Sequence, residues 1–225
     1  MITLATTERA YPWGVLRSTH ASKVKFALAE KGVPWRVNRV RPSELWTKPD
    51  HMREHHPLAK VPWIVHDEGS VFDSTVILEW LEERYPEPTL LPGDAGARAE
   101  ARMVETWADE ALLTGALPAI WMPLWQPEAQ RDAAAQAAAR EALLTGPLRW
   151  LEARLADGRE WVCAGFGIGD VALAPLAMVL EVDGADLASL PTVAAYLDRL
   201  RARPAYAAIS PATSLEDSES SEPAA

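Results

Sequence analysis

The sequence predicts a mixed α/β domain of βαβ-ββα order, followed by an all-helical domain. In residues 1–85, short β-prone runs alternate with segments whose apolar residues recur at helical spacing. The stretch PEPTLLPGD, residues 86–94, is rich in proline and is interpreted as a linker. Beyond it the pattern is helical almost throughout, which predicts a second domain over residues 95–208. Residues 209–225 are polar, small and acidic, and we expect a disordered tail there.

A strand, a helix and a second strand open the α/β domain. ITLAT, residues 2–6, is apolar and β-prone, and WRVNRV, residues 35–40, alternates with the period of a half-buried strand. Between them, SKVKFALAEKG has apolar side chains at helical spacing and ends in Gly32, a residue type that often terminates helices. This order predicts two parallel strands joined by a right-handed crossover.

The second half of this domain is predicted to contain a hairpin and a helix. Residues 43–56 are interrupted by proline and are expected to be helical or irregular. VPWIVHDEGSVF predicts a β-hairpin with its turn at residues 67–70. DSTVILEWLEERYP predicts a helix that starts at Asp73 or Ser74 and stops at Pro86.

The all-helical domain is predicted to contain four helical stretches, at residues 95–117, 128–157, 168–182 and 192–203. In the string GIGD before the third stretch, Gly167 stands where a capping box has serine or threonine, and Asp170 supplies the acid of the box. Cys163 lies among apolar neighbours and is predicted to be a buried hydrophobic residue instead of a reactive thiol.

Charge and composition exclude some classes of partner. The formal charge at pH 7 is −10, and the chain stays acidic without the acids of its last ten residues, so neither DNA nor an anionic membrane is expected to bind. No stretch is long and apolar enough to span a bilayer, and the first residues lack the pattern of a secretion signal. A single cysteine permits no internal disulfide, which favours a cytoplasmic location.

Two local patterns indicate a binding site in the α/β domain. Pro62 opens a predicted strand, and proline cannot donate to a sheet ladder, so the backbone at Val61 either starts a simple edge strand or serves another partner. Asp73 and Ser74 open a helix, whose first N–H groups and partial positive charge suit a carboxylate. Either residue could instead only cap that helix.

These motifs together resemble the cytosolic glutathione transferase family, in particular its serine-type, bacterial-like members. The resemblance covers about residues 1–208 and is carried by SKVKFALAEKG, PLAKVPWIV, GSVFDSTVILEWLEERYP and TLLP in this order. It implies a thioredoxin-like N-terminal domain, an all-α C-terminal domain and a homodimer. It also implies a detoxification enzyme that activates the glutathione thiol for attack on a small hydrophobic electrophile. Glutathione is then a co-substrate, with no metal or other cofactor.

The resemblance also implies the residues of a glutathione site. Val61 would exchange backbone hydrogen bonds with the cysteinyl part of glutathione, ahead of a cis Pro62. Asp73 would bind the ammonium group of the γ-glutamyl end, and Ser74 would bind its carboxylate.

Two lysines match the position that meets the glycine carboxylate of glutathione. Lys60 directly precedes Val61, and Lys48 is the looser match. Each could equally be a solvated surface charge, which is the better interpretation for Lys48. His56 stands where many relatives have asparagine.

The chemistry requires a thiolate, because a thiol with a pKa of about 8.5 is mostly protonated at neutral pH. A hydroxyl donor and a helix N-terminus both favour the anion. Ser18 lies where serine-type relatives keep this hydroxyl, and Thr19 is the second candidate. Either could instead be the N-cap of the first helix. Tyr11 is a further alternative, since it lies in TERAYPWGVLR, a segment longer than in most relatives.

The pocket for the electrophile is expected to be apolar. For Met103 and Trp107, which are four residues apart, ordinary core or dimer packing is an equal alternative. The candidate lining residues are Tyr11, Trp13, Met103, Trp107, Trp121 and Trp125.

Two other functions remain open at this point. A glutathione-dependent isomerase or lyase would use the same thiolate, although Ser18-Thr19-His20 lacks the serine–cysteine pattern of the isomerases. A non-catalytic binding or scaffold protein with the same fold would bind glutathione without turnover, or not at all.

Overall fold

The computed structural model describes residues 1–216. The chain divides into two compact units: unit 1 contains residues 1–89 together with the segment from Pro204 onward, and unit 2 contains Leu90–Arg203. Among residues 1–216, none of the helices combines the length and the apolar character that crossing a bilayer requires. The part of the predicted disordered tail at residues 217–225 lies outside the described residues.

Unit 1 is built on a four-stranded sheet and a separate hairpin. Its strands are β1 (Ile2–Thr6), β2 (Glu8–Tyr11), β3 (Gly14–Arg17), β4 (Trp35–Arg39), β5 (Trp63–His66) and β6 (Gly69–Phe72). The sheet has the order β4-β1-β5-β6, with β1 parallel to β4 and the other pairs antiparallel. The predicted parallel pair and the predicted β5–β6 hairpin are therefore both present.

The helices of unit 1 are α1 (Thr19–Glu30), α2 (Glu44–Thr47), α3 (Asp50–Arg53) and α4 (Ser74–Arg84). Helix α1 ends before Gly32, whose φ of 62° lies in the left-handed region that glycine adopts without strain. The two short helices α2 and α3 correspond to the proline-interrupted segment 43–56. The fold class predicted from the sequence, an α/β unit followed by an all-helical unit, is confirmed.

The long segment before α1 forms a β-hairpin, which the sequence did not reveal. Strands β2 and β3 pair in an antiparallel register from Glu8 opposite Arg17 to Tyr11 opposite Gly14. Pro12 and Trp13 form the connection. ERAY and GVLR are too short and too mixed in polarity to give a clear two-residue period.

The C-terminal segment differs from its prediction. Residues 209–216 were expected to be disordered, but Val15 N–H donates to the Pro211 carbonyl at 2.8 Å, and Ile209 is fully buried. In addition, the turn Pro204–Ala208 packs on α1 in unit 1, although it was assigned to the helical domain. The polar composition of the segment predicted disorder, but the segment is anchored through its backbone carbonyls. Every residue type provides such a carbonyl, so composition does not reveal this anchoring.

Unit 2 is all-helical. Its helices are α5 (Ala95–Trp107), α6 (Leu117–Trp121), α7 (Ala133–Thr145), α8 (Pro147–Leu155), α9 (Ile168–Asp183) and α10 (Pro191–Arg201), with a π-helical segment at Ala108–Ala116 between α5 and α6. Helix α9 is buried from Ile168 to Leu180 and forms the core. The predicted stretch 128–157 is wrong as a single helix: it breaks at Gly146, before Pro147, a residue that favours a helix start.

The start of α9 is held by a buried carboxylate. Asp170 accepts hydrogen bonds from Gly167 N–H at 3.0 Å, Val162 N–H at 2.9 Å and the Tyr196 hydroxyl at 2.7 Å. The acid half of the predicted capping box is therefore present. Gly167 fits because a Cβ atom there would lie 2.6 Å from the Leu90 carbonyl oxygen, closer than packing allows.

Candidate functional site

The backbone before strand β5 has the form that the family resemblance implied. The Val61–Pro62 peptide bond is cis. Among residues 1–216, no backbone acceptor is found for the Val61 N–H group, which lies outside the β1–β5 ladder. Below it, Trp63, Met52 and Ala59 belong to a buried cluster against which Val61 packs. An apolar base thus presents an unpaired donor just before β5, at the N-terminal end of that inner strand, where the backbone of a peptide could pair with it.

His56 organises the turn that leads to Val61. Its carbonyl accepts from Ala59 N–H at 2.7 Å, and its ring Nδ1 accepts from Leu58 N–H at 3.1 Å. Since Nδ1 is an acceptor here, the neutral ring carries its proton on Nε2. The residue is only 7% exposed. Burial lowers the pKa of His56, the nearby Lys60 lowers it further, and Asp73 opposes the change, so the imidazole is neutral at physiological pH.

The start of α4 combines a cap with an open donor. Asp73 has a φ of 72°, and its Oδ1 accepts from Thr75 N–H at 3.0 Å and from Val76 N–H at 3.3 Å. Ser74 follows as the first helical residue and is 3% exposed. In residues 1–216 no acceptor is found for the Ser74 N–H group. Asp73 is therefore the N-cap, and the Ser74 N–H donor next to it remains available to a carboxylate.

The two candidate lysines differ in their surroundings. Lys48 Nζ donates to the Leu58 carbonyl at 2.7 Å, so this lysine ties the α2–α3 region to the turn at His56. Lys60 is exposed and adjoins Val61. Lys60 is therefore the lysine whose charge is available to a ligand carboxylate, while Lys48 has a structural partner.

Unusual backbone conformations are concentrated in this region. Among the described residues, the non-glycine residues with positive φ are Lys48, Ala59 and Asp73, at 48°, 47° and 72°. Such conformations persist only where the surrounding structure holds them, and they are frequent at functional sites. Here they occur in the segments that precede Val61 and helix α4.

Ser18 is the N-cap of α1. Its Oγ accepts from Ala21 N–H at 3.4 Å, and its own N–H donates to the Thr7 carbonyl at 2.9 Å. A hydroxyl that accepts with a lone pair can still donate its hydrogen, so capping and donation to a sulfur anion are compatible. Thr19 is 9% exposed, and its hydroxyl lies 3.5 Å from His20 Nδ1. Ser18 is the more accessible of the two hydroxyls.

Tyr11 and Trp13 lie at the tip of the β2–β3 hairpin. Their rings are stacked with centroids 5.1 Å apart, and the Arg9 guanidinium lies 5.1 Å from the Tyr11 ring. Together with residues 211, 212 and 214–216 they line a groove of about 570 Å³ within unit 1. The Tyr11 hydroxyl is buried, and no partner for it is found in residues 1–216.

The other aromatic candidates lie in unit 2. Trp107 packs on Trp150 with ring centroids 3.9 Å apart, and Trp121 is buried. Met103 is 71% exposed and so does not belong to the core of unit 2. Trp125, in a 3₁₀ turn, is partly buried. Their part in a pocket for an electrophile stays a prediction.

Cys163 has the surroundings that the sequence indicated. It is buried, and Arg154 Nη2 lies 3.8 Å from its sulfur. Burial raises the pKa of the thiol in spite of the guanidinium, which disfavours the reactive thiolate.

Two features of unit 1 were missed by the sequence interpretation. One is the buried role of His56, whose only signal was a histidine at a position usually taken by asparagine. The other is Arg17, which is fully buried and donates to the carbonyls of Ser210 and Thr213, each at 2.7 Å. No local pattern relates residues so far apart in the sequence.

Comparison with known proteins places these observations in a family. The family model described as the glutathione S-transferase N-terminal domain matches residues 17–84. The maleylacetoacetate isomerase of Pseudomonas aeruginosa is 30% identical over 207 residues, which cover 87% of this chain and 93% of that protein. A stringent starvation protein A homolog of Haemophilus ducreyi is 33% identical over 84 residues, which cover 37% of this chain but only 38% of that protein.

A solved structure leads to the same family. The glutathione S-transferase of Methylobacterium radiotolerans, in complex with glutathione sulfonate, is 32% identical and has a TM-score of 0.69. The match covers 94% of this chain and 96% of that chain. The motifs, the thioredoxin-like sheet followed by an all-helical unit, and the full-length relatives thus agree, and the chain belongs to the glutathione S-transferase family.

Proposed function

We propose that this protein is a glutathione transferase that binds glutathione at the start of β5 and directs its thiolate at a hydrophobic electrophile. The observation that carries the proposal is the Val61 N–H group, which has no backbone acceptor among the described residues and lies before a cis proline. Glutathione pairs with the Val61 backbone through its cysteinyl backbone, in the manner of a short added strand.

The charged and polar groups around Val61 match the ends of the tripeptide. Glutathione has a carboxylate at each end and an ammonium group beside one of them. The Ser74 N–H at the start of α4 takes the γ-glutamyl carboxylate, and the exposed Asp73 carboxylate takes the ammonium. Lys60 takes the glycine carboxylate. This complementarity fixes the orientation of the peptide and, with it, the position of the sulfur.

Ser18 supplies the hydroxyl that stabilises the thiolate. Its oxygen lies at the N-terminus of α1, where the partial positive charge of the helix also favours an anion. The thiolate then attacks the electrophile and forms the new carbon–sulfur bond, while the leaving group departs with the electron pair of the broken bond. Tyr11 and Trp13 offer an aromatic wall for that substrate.

An ultraviolet titration of bound glutathione tests the role of Ser18, because the thiolate absorbs where the thiol does not. Ser18→Ala is expected to raise the pKa of the bound thiol by about 1–2 pH units, since a hydrogen bond to a charged group is worth about 1.5–3 kcal/mol. Thr19→Val is the matched control and should leave it unchanged. Equal thiolate absorbance in wild type and Ser18→Ala would assign the role to another hydroxyl.

A glutathione-dependent isomerase is the second candidate. It is favoured by the 30% identity, over 87% of this chain, to the Pseudomonas aeruginosa maleylacetoacetate isomerase. Both reactions need the same thiolate, so they are separated by the product. Conjugation consumes glutathione, whereas isomerisation regenerates it. Measuring free glutathione during turnover of maleylacetoacetate and of an activated chloronitrobenzene distinguishes the two.

A non-catalytic binding protein would behave differently in the same assays. Calorimetry would detect glutathione binding, but neither the thiolate band nor turnover would be observed.

We also infer a homodimer from the family. Phe72 and Val76, near the start of α4, are exposed apolar side chains of the kind that interfaces cover. Sedimentation equilibrium measures the mass directly, and a monomer mass would contradict the inference.

A further inference from the structure

The C-terminal strap, residues 209–216, is bound along the β2–β3 hairpin of unit 1. Val15 N–H donates to the Pro211 carbonyl at 2.8 Å, and Arg39 Nη2 donates to the Leu215 carbonyl at 2.6 Å. These contacts use the backbone of the strap instead of its side chains. Backbone contacts with β3 and with the end of β4 therefore hold the strap in a defined path, although many of its side chains are polar.

Arg17 is the central anchor of the strap. It is fully buried, its Nη1 donates to the Ser210 carbonyl at 2.7 Å, and its Nη2 donates to the Thr213 carbonyl at 2.7 Å. On its other side, Nε lies 3.5 Å from the buried Glu8 carboxylate. The planar fork of a guanidinium suits this arrangement, because its separate nitrogens reach two carbonyls at once. An ammonium group would have to reach both carbonyls from one nitrogen, so it does not reproduce this geometry.

The strap packs closely against the tip of the hairpin at Gly14. Gly14 has a φ of 142°, and a Cβ atom built there would lie 2.7 Å from the Pro211 carbonyl oxygen. The strap and the hairpin thus approach to the limit that glycine allows. Any larger residue at this position must displace one of them.

Ser18 directly follows Arg17 and depends on the same hairpin. Its N–H donates to the Thr7 carbonyl at 2.9 Å, at the base of β2, while its cap bond to Ala21 N–H is long at 3.4 Å. The cap alone therefore holds the hydroxyl weakly. Its position is set by the backbone on both sides: the bond to Thr7 ties it to the hairpin on which Arg17 holds the strap, and its own carbonyl accepts from Ser22 N–H in α1 at 2.9 Å.

We propose that Arg17 is a positioning residue: it clamps the C-terminal strap onto the hairpin and thereby fixes the Ser18 hydroxyl where it meets the sulfur of glutathione. This rests on the proposed function, since the sulfur is that of the bound co-substrate. The C-terminal strap is then a part of the thiol-activating site through its backbone carbonyls. Loss of the clamp weakens thiol activation more than it weakens glutathione binding, because Val61 and Asp73 lie on other segments.

Arg17→Lys in the full chain is the principal test. It keeps the charge beside Glu8 and removes the fork. We expect amide hydrogen exchange of Val15 to become about tenfold faster and the pKa of the bound glutathione thiol to rise by about 1 pH unit, with the dissociation constant of glutathione changed less than about twofold. Arg39→Met releases the Leu215 carbonyl and removes an ion pair with Glu8 but keeps the fork of Arg17, so it should leave the thiol pKa unchanged.

A second pair of variants covers the case in which Arg17→Lys does not fold. Gly14→Ala forces the hairpin and the strap apart at the surface. Gly69→Ala is its matched control, because Gly69 has nearly the same φ, 141°, also in a hairpin, with nothing within 4 Å of the added Cβ atom. Both variants introduce similar backbone strain, but only Gly14→Ala should raise the thiol pKa.

The outcomes separate this inference from the proposed function. A wild-type protein without a thiolate band refutes the proposed function, and the clamp falls with it. A wild-type band that is unchanged in both Arg17→Lys and Gly14→Ala refutes only the clamp. Faster exchange of Val15 with an unchanged thiol pKa would show that the strap is anchored by Arg17 but does not position Ser18, which also overturns the inference.

Discussion

The ring of His56 lies 4.8 Å from the ring of Phe72, between their centroids. This contact joins the turn before Val61 to the residue before Asp73. The two segments that we propose to bind opposite ends of glutathione are therefore packed on one another through a buried, neutral imidazole. Its Nδ1 atom also holds the Leu58 N–H group, so the ring supports both its own turn and the neighbouring strand end.

We expect His56→Ala to raise the KM for glutathione about tenfold, because the turn loses an acceptor and the contact with Phe72. The pKa of the bound thiol should not change, since Ser18 lies on another segment. His56→Asn is the conservative control: its side-chain carbonyl can accept from Leu58 N–H in an Asx turn and should recover most of the affinity. Steady-state kinetics at varied glutathione measures both. Equal KM values in wild type and His56→Ala would contradict the role.

The same histidine gives a pH dependence of stability. Its pKa in the folded protein is lowered from the ordinary value of 6.5, so the unfolded chain binds the proton more readily. The free energy of unfolding should therefore decrease as pH falls below 6.5 toward the folded-state pKa. Urea unfolding between pH 7.5 and pH 5 measures this, and the slope should be smaller in His56→Asn. An unchanged slope in the variant would assign it to other groups.

Asp73 allows capping and ligand binding to be separated. Asp73→Asn keeps an oxygen for Thr75 N–H and tolerates the positive φ, but it loses the charge. We expect nearly unchanged stability and about tenfold weaker glutathione binding by calorimetry. Asp73→Ala should lose both functions, with about 1–2 kcal/mol of stability lost with the cap. If Asp73→Asn bound glutathione as well as wild type, the carboxylate would be a cap only.

The two lysines should respond differently to substitution. Lys60→Met removes an exposed charge beside Val61, so we expect severalfold weaker binding of glutathione, a loss that shrinks at high salt because exposed charges are screened. Lys48→Met removes the hydrogen bond to the Leu58 carbonyl, and its loss of affinity should persist at high salt. Calorimetry at low and high ionic strength tests this. Identical salt dependence for both variants would contradict it.

Asp170 in unit 2 should control stability without affecting the thiol chemistry. Asp170→Ala leaves Gly167 N–H, Val162 N–H and the Tyr196 hydroxyl without their acceptor, and we expect a loss of about 3–5 kcal/mol. Tyr196→Phe removes one of these bonds and should lose less. Denaturant unfolding measures both losses. A loss below about 1 kcal/mol in Asp170→Ala would mean that the start of α9 is held by other contacts.

The titration of Asp170 gives a check of opposite sign to that of His56. Burial raises its pKa to about 6 in spite of its three hydrogen bonds. The folded protein therefore binds this proton more readily than the unfolded chain, and the contribution of the group to stability is lost as pH rises from about 4 through 6. The slope should be absent in Asp170→Asn. Comparing the unfolding of the two proteins across this range measures it.

Much of the molecule could be predicted from local sequence. The parallel strands, α1, the β5–β6 hairpin and α4 follow from periodicity and stop residues, and Val61-Pro62 and Asp73-Ser74 follow from what proline and a helix start can do with their hydrogen-bonding groups. The break at Gly146 was missed because Leu144, Leu148 and Leu151 continue the helical spacing of apolar residues across it.

The sequence by itself determined the order of the sheet strands and long helices of unit 1, the family and the segments of the candidate glutathione site, because each of these depends on residues close together in the chain. Only the tertiary structure decided that residues 7–17 form a hairpin, that residues 209–216 lie along it, and that Arg17 and His56 are buried. The physical reason is that these contacts pair backbone carbonyls and buried polar groups across up to 196 positions, and backbone carbonyls carry no sequence signature.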